Sequence, residues 1–360
     1  MIKISPLLAS DYAQTCALLG MQECSSIDNA LITNTDVMKG GLAFWQHWLP
    51  CQYHLSQSIY VAREDGVVLG FIVLSAASKS KQCWKVENLV VHPEHRGRGL
   101  AQELLRYVFA QFGSQGVAHF IAEVSCSNDA ALSLFAHCGF CRSARVTYYQ
   151  IDRKDAQVQE VESEFRLASY ASKNGLFQLH QEVLPPDLRL VFERVPDDYR
   201  VGEKLAFTSV ERKRNKFMRK RVWYWVSQDP ERRVLSSAVK VMAEPDVGYR
   251  LEFAVHPGWK HLAADLVNFA VMQLQKPEYP DLPIWAKVCD FEPEVDEAVQ
   301  AVGFERTGEF FLLSREHWTR AKHPRVRRVE GVLPNIANPA INFPLATERV
   351  KWHPNPEDYN

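Results

Sequence analysis

Short apolar runs alternate with segments of helical spacing over the first 150 residues. The β-branched runs at 58–63 and 67–75 are joined by Glu64-Asp65-Gly66, a sequence that favours a hairpin turn. Residues 100–112 repeat their apolar positions every three or four residues, which predicts an amphipathic helix. A second helix is predicted from Asn128 to a stop at Gly139. Further strands are predicted at 1–4, 86–91, 120–124 and 146–151, with a helical region between the first strand and about residue 48.

This order of elements predicts a mixed α+β sheet, and its landmarks return later in the chain. Val91-His92-Pro93 recurs as Val255-His256-Pro257, and Gly139-Phe140 recurs as Gly303-Phe304, both 164 residues later. The strand sequence SIYVAREDG overlies VWYWVSQDP at the same offset. Three landmarks at one spacing indicate two tandem copies of one fold.

The repeat divides the chain into four segments. The predicted bounds are 1–152 for the first domain, 153–187 for a linker, 188–320 for the second domain and 321–360 for a tail. The tail carries six prolines in its last 38 residues and shows no periodicity. We therefore expect it to be extended and to lie on a surface.

Composition excludes several classes of protein. The 360 residues are 46% hydrophobic and 24% charged, as in globular proteins with packed cores. The net charge of -1 gives no reason to expect nucleic acid as a partner. No apolar run reaches the ~18–20 residues that span a bilayer, the first residues lack a signal-peptide core, and the eight cysteines are scattered, so we expect a cytoplasmic protein. Cys138 and Cys141 form one CxxC pair, too weak a pattern to predict a metal site.

The sequence VHPEHRGRGLA at 91–101 carries the clearest chemistry. A strand ends at Pro93, and a loop leads into the helix that begins at Leu100, where backbone N–H groups favour an anion. The loop combines positive charge with glycines that allow close backbone approach, in the order Arg96, Gly97, Arg98, Gly99. These features predict a pyrophosphate-binding loop whose spacing matches neither the P-loop nor the Rossmann fingerprint.

The run R-x-x-G-x-A at Arg96, Gly99 and Ala101, after the strand ENLVV, resembles the acyl-CoA motif of the GNAT N-acetyltransferases. The run AEVSCSNDAALSLFAHCGF at 122–140 resembles that family's next motif, and the spacing resembles the ribosomal-protein-alanine acetyltransferases. The resemblance covers 55–150 well and 1–54 loosely. It implies a GNAT fold, acetyl-CoA as co-substrate and acetyl transfer to a primary amine.

The resemblance also implies which residues hold acetyl-CoA. Strand backbone would bind the pantetheine arm, the loop and first helical turn would bind the pyrophosphate, and the next helix would form the opposite wall. The residues implied are Leu89, Val90, Val91, Arg96, Gly97, Arg98, Gly99, Leu100, Ala101, Gln102, Asn128 and Phe135.

The resemblance further implies a glutamate as general base and a helical tyrosine as general acid. Glu123 matches the base, but the position of the acid holds Phe135, which cannot donate a proton. Tyr148, Tyr149 or water can replace that donor, and Glu87 is a second candidate base. Glu123 also fits a purely structural role, as the carboxylate of a salt bridge.

The second repeat keeps the residues that build a core but has lost those of the site. Arg96 becomes Lys260, Gly97 becomes His261, Gly99 becomes Ala263, Glu123 becomes Lys287 and Asn128 becomes Glu292. We therefore expect the second domain to be structural or to bind a protein partner, together with the tail.

The acceptor stays open between a protein and a small molecule. The aromatic segment at 40–55 either lines the acceptor side or packs in the core, and the basic run at 211–221 either is a solvated helix face or binds an acidic partner. Two functions therefore remain. One is an acetyl-CoA-dependent N-acetyltransferase active in the first domain; the other is a non-catalytic scaffold of the same fold that binds acyl-CoA or a partner.

Overall fold

The predicted hairpin belongs to a long mixed sheet. The computed structural model describes residues 2–21, 57–199, 201, 221–244 and 247–317. In these residues the first half contributes strands β1 Lys3–Pro6, β2 Gln57–Glu64, β3 Val67–Ala76, β4 Cys83–Val91, β5 His119–Ser125 and β6 Cys141–Ile151. Asp65 and Gly66 make the β2–β3 turn at positive φ, as the Asp-Gly sequence predicts.

Helices cover both faces of this half. They are α1 Tyr12–Gly20, α2 Leu100–Gly113 and α3 Asp129–His137. Successive residues of a strand point to opposite faces, so Val61 packs with Leu18 of α1, whereas Tyr60 packs with the cluster that contains Leu104 of α2.

The second half repeats this order. Its strands are β7 Arg166–Leu167, β8 Arg221–Gln228, β9 Leu235–Glu244, β10 Gly248–Val255, β11 Ile284–Cys289 and β12 Glu305–Glu316. Its helices among the described residues are α4 Lys173–Val183, α5 Pro186–Phe192, α6 Leu262–Leu274 and α7 Pro293–Ala301.

The predicted linker segment, 153–187, holds regular elements that pack on the second half. It contains β7, α4 and the first residues of α5. β7 pairs with β8, as β1 pairs with β2, and Leu176 and Leu179 of α4 are buried against β8 and β9. Among the described residues, the apolar face of α4 is covered by the second half. The domain bounds themselves stay a prediction.

The two halves exchange their last strands within one sheet. The described strands lie in the order β1-β2-β3-β4-β5-β12-β6-β11-β10-β9-β8-β7. β12, the last strand of the second half, pairs with β5 of the first, and β6 pairs with β11 of the second. Only the β4–β5 and β10–β11 pairs are parallel among these strands.

A shared core lies where the halves meet. Leu188 and Val191 of α5 pack against Ile121 of β5, Trp285 of β11 and Phe310 of β12. The predicted segment at 40–55, most of the basic run at 211–221 and the tail lie outside the described residues. No helix in the described part of the chain is long and apolar enough to cross a membrane.

Candidate active site

The parallel strands β4 and β5 separate at a bulge. Their pairing runs from Cys83 opposite His119 to Val86 opposite Ala122 and extends no further among the described residues. β4 also pairs with β3, on the side away from β5. The register of this pair shifts between Val73 and Leu74, which leaves Glu87 as the extra residue of a β-bulge.

The predicted pantetheine strand lies just beyond this bulge. Leu89, Val90 and Val91 keep their pairing with β3 but have no strand partner on the β5 side among the described residues. Their backbone groups on that side can therefore pair with an extended ligand, as predicted for the pantetheine arm of acetyl-CoA.

The loop before α2 has the geometry of an anion cradle. Gly97 and Gly99 have φ of +75° and +80°, a backbone conformation that L side chains rarely adopt, and no side chain caps the helix at Gly99. Open space surrounds both glycines, and Arg96 and Arg98 are exposed beside them. The N–H groups of Leu100, Ala101 and Gln102 begin the helix, so the cradle fits a pyrophosphate.

The two predicted residues of the opposite wall have packing roles here. The Asn128 side chain accepts a hydrogen bond from the Ala131 N–H at 3.0 Å and so caps α3. Phe135 is buried in the core, with its ring centroid 4.9 Å from that of Phe140. These contacts account for both residues without a ligand, and their contact with a cofactor stays a prediction.

Glu123 is enclosed by donors and cations. Its Oε1 lies 2.6 Å from Nζ of Lys287 and 3.7 Å from Nζ of Lys85, and its Oε2 accepts a hydrogen bond from the Tyr148 hydroxyl at 2.7 Å. The Glu123 side chain is 4% exposed and that of Lys287 is 22% exposed. Burial alone would raise the pKa of Glu123, but Lys287 and Lys85 hold it well below its usual range. Burial and the Glu123 charge raise the pKa of Tyr148.

These contacts bear on the predicted catalytic roles. A carboxylate held far below its ordinary pKa is a weak proton acceptor, so the surroundings of Glu123 argue against a general base. They fit the alternative that the sequence left open, a strand carboxylate in a salt bridge. Tyr148 gives its hydrogen bond to Glu123, so that proton is already engaged.

Glu87 lies in the bulge itself. Its carboxylate accepts a hydrogen bond from the Ser75 hydroxyl and lies 3.3 Å from Nζ of Lys85. Lys85 therefore stands between the two candidate carboxylates, Glu87 and Glu123. Sequence reasoning missed Lys85 as part of the site, although strand alternation places residues 85 and 123 on the face that carries Cys83 and Ile121.

The second half has no equivalent cradle. The residue before α6 is His261 with φ of -59°, and the Lys260 ammonium forms an ion pair with Glu294 in the first turn of α7. Among the described residues, no group of three or more His, Cys, Asp or Glu side chains could hold a metal ion.

Residues 32–140 match the model of the acetyltransferase (GNAT) family. This part of the chain belongs to the GNAT family. The match spans the bulge, the cradle and α3, and it confirms the family that the two sequence motifs indicated.

Curated relatives match the same half. The chain is 33% identical over 104 residues to N-alpha-acetyltransferase RimI of Mycobacterium tuberculosis, which covers 28% of this chain and 64% of that protein. It is 30% identical over 106 residues to N-alpha-acetyltransferase MAK3 of Arabidopsis thaliana, which covers 29% of this chain and 55% of that protein. The chain thus spans a little over half the length of these relatives.

Solved structures match both halves together. A tandem GNAT protein from the clavulanic acid biosynthesis pathway aligns with a TM-score of 0.54 and 16% identity, covering 89% of this chain and all of that one. A GCN5-related N-acetyltransferase from Sphaerobacter thermophilus aligns with a TM-score of 0.54 and 13% identity, covering 88% and 95%. These likenesses confirm the predicted α+β tandem GNAT-like fold.

Proposed function

We propose that the first half is an acetyl-CoA-dependent N-acetyltransferase that acetylates a primary amine. The observation that carries this proposal is the alignment of an uncapped helix N-terminus, at Gly99, with the unpaired edge of β4 beyond Glu87. A pyrophosphate and an extended arm need these two features side by side. GNAT membership supports the reaction class.

The chain's own groups position the donor. The cradle N–H groups and Arg96 and Arg98 would hold the pyrophosphate, and backbone of Leu89–Val91 would hold the arm. Bound acetyl-CoA would supply an activated thioester carbonyl. Strand N–H groups that point into the gap between β4 and β5 can stabilise negative charge on a carbonyl oxygen.

Glu87 is the carboxylate that we assign to remove the amine proton. It lies at the point where β4 leaves β5, and its contacts include one lysine and one hydroxyl. Glu123, by contrast, is held by two lysines and a tyrosine. Glu123 acts instead as a fixed charge that holds Lys85 in place.

The departing thiolate needs no protein acid. A free thiol has a pKa near ~8.5, so the thiolate is a tolerable leaving group and water can protonate it. The buried Phe135 is consistent with such a site.

Two measurements test this function. Calorimetry with acetyl-CoA should show binding, and a thiol-release assay over an amine panel should show turnover. The panel should begin with peptides that have a free α-amine, because the curated relatives are called N-alpha-acetyltransferases. A chain that binds no acetyl-CoA would contradict the proposal. Binding without turnover on any amine would instead support the acyl-CoA-binding scaffold.

A further inference from the structure

A row of alternating charges crosses the centre of the sheet on the face covered by α5. Lys85 on β4 contacts Glu123 on β5, which contacts Lys287 on β11. Glu252 on β10 is the next carboxylate, and Lys240 on β9 pairs with it at 2.8 Å. Lys287 and Lys240 both lower the pKa of Glu252, although burial alone would raise it. The row therefore extends from the first half into the second, with direct ion pairs at Lys85–Glu123, Glu123–Lys287 and Glu252–Lys240.

Lys287 is the member that joins the two halves. It belongs to the second half, yet its ammonium makes the shortest contact of Glu123 in the first half. Lys287 lies 164 residues after Glu123, which is the offset between the two repeats. The two residues therefore occupy the same position, Glu123 on β5 of the first repeat and Lys287 on β11 of the second. The second repeat thus carries a cation at the position where the first repeat carries Glu123, and that cation contacts Glu123.

The removal of Lys287 would change what Glu123 can do. Burial would then raise the pKa of this carboxyl, opposed by Lys85, at 3.7 Å, and by the hydrogen bond from Tyr148. A protonated Glu123 no longer attracts Lys85, which also contacts Glu87. The charged and titratable groups around Glu123 are Lys85 and Glu87 of β4, Tyr148 of β6, Lys287 and Cys289 of β11, and Arg250 and Glu252 of β10.

We propose that Lys287 is a positioning residue for the acetyltransferase site of the first half, so that the second half completes that site within the same chain. This inference rests on the proposed function. Lys287 keeps Glu123 ionised and fixed, and Glu123 in turn fixes Lys85 beside Glu87.

The kcat–pH profile of Lys287→Met tests this role. The acid limb of the profile should move to higher pH, by at most the ~1–3 pH units that a close opposite charge contributes to a carboxyl pKa, because Glu87 loses the cation beside it when Lys85 is no longer held by Glu123. The KM for acetyl-CoA should stay unchanged, since Lys287 does not touch the cradle. Lys287→Arg should restore the profile, and Lys287→Met added to Glu123→Gln should produce no further shift. If Lys287→Met does not fold, Lys287→Gln removes the charge and keeps a hydrogen-bond donor.

Lys240→Met is the matched control. Lys240 is 21% exposed and ion-paired on the same face, but it contacts Glu252 rather than Glu123. It should keep the wild-type profile. An unmoved profile in Lys287→Met, or an equal shift in Lys240→Met, would overturn the inference.

A readout without turnover separates the two proposals. The Glu123 carboxyl can be followed by ¹³C NMR of glutamate-labelled protein, assigned from its absence in Glu123→Gln. Its pKa should rise in Lys287→Met and not in Lys240→Met. An inactive wild-type chain would contradict the proposed function alone, whereas an unmoved Glu123 pKa would contradict the role of Lys287 alone.

Discussion

Glu123 and Lys287 occupy the same position in the two repeats, and their side chains meet with 2.6 Å between Oε1 and Nζ. Strand exchange makes this contact possible, because β12 and β6 lie between β5 and β11 and tie both strands into one sheet. The position is a glutamate in one copy and a lysine in the other, so the pair is complementary. Two glutamates there would repel each other at the centre of the protein.

The first prediction concerns the stability that this pair provides. Glu123→Gln should lower the free energy of unfolding at pH 7 by about 3–5 kcal/mol, because it leaves Lys287 without its carboxylate partner. A carboxyl with a lowered folded-state pKa stabilises above its unfolded pKa, about 4.3, and loses that effect as pH falls through the folded value. Denaturant unfolding at pH 7 and at pH 3 measures both effects, and the difference from wild type should be smaller at pH 3.

Glu294→Gln is the control for this experiment. Its pair with Lys260 is about half-exposed on the lysine side, so the loss should be at most about 1 kcal/mol. Equal losses in the two variants would mean that the central pair contributes no more than a surface pair.

The second prediction concerns the cradle. Gly99→Glu should abolish acetyl-CoA binding, because the carboxylate repels the pyrophosphate and the φ of +80° strains any side chain. Gly66→Glu is the matched control. Gly66 has φ of +84° and equally open surroundings, but it lies in the β2–β3 turn rather than in the cradle. Calorimetry should show lost affinity in the first variant and wild-type affinity in the second. Wild-type affinity in Gly99→Glu would remove the cradle from the site.

The sequence pattern predicts the elements of each repeat well but not their partners. The apolar periods at 100–112 and the hairpin at 64–66 depend on neighbouring residues, and both predictions are confirmed by α2 and the β2–β3 turn. β6 and β12 have similar alternating patterns, and either can fill the edge of β5 or of β11. Nothing local distinguishes the two pairings, so the strand exchange is visible only in the structure.

The candidate site shows the same division. Gly97 and Gly99 indicate the cradle in the sequence, because the positive φ that they adopt depends on the residue type at each position and not on distant contacts. The environment of Glu123 depends on Lys287, far along the chain, and the sequence alone indicated only that Lys287 had replaced a glutamate. The charge state of Glu123 therefore depends on a contact between distant parts of the chain, which sequence periodicity does not reveal.

The third prediction is a stoichiometry of one acetyl-CoA per chain. The helix start of the second half has His261 in place of a glycine, and Lys260 is engaged by Glu294. The Glu294 carboxylate brings negative charge to the place where a phosphate would need the opposite. Calorimetric titration should give one site, and Gly99→Glu should leave none. A second site, or one that survives Gly99→Glu, would contradict the loss of the second cradle.

The fourth prediction concerns His180 on α4. Burial, together with Arg194 and Lys240, lowers the pKa of His180 to about 3, and its ring lies 5.2 Å from that of Tyr199. The unfolded chain binds this proton at about pH 6.5, so His180 lowers the stability of the folded state as pH falls from about 6.5 towards 3. His180→Phe should keep the ring contact and flatten this part of the stability–pH curve, as measured by denaturant unfolding at pH 7, 6 and 5. Parallel curves for variant and wild type would show that His180 titrates normally.

The fifth prediction follows from the exchanged strands. A fragment of residues 1–152 keeps β5 but loses β12, which pairs with β5 from His119 to Ser125. An unpaired edge beside a buried strand favours aggregation, and Ile121 would also lose its cover from α5. The fragment alone should therefore aggregate or elute as an oligomer in size-exclusion chromatography, and co-expression with residues 153–360 should give a soluble one-to-one complex that binds acetyl-CoA. A monomeric, folded 1–152 fragment with full acetyl-CoA affinity would show that β6 can close the edge of β5 without the second half.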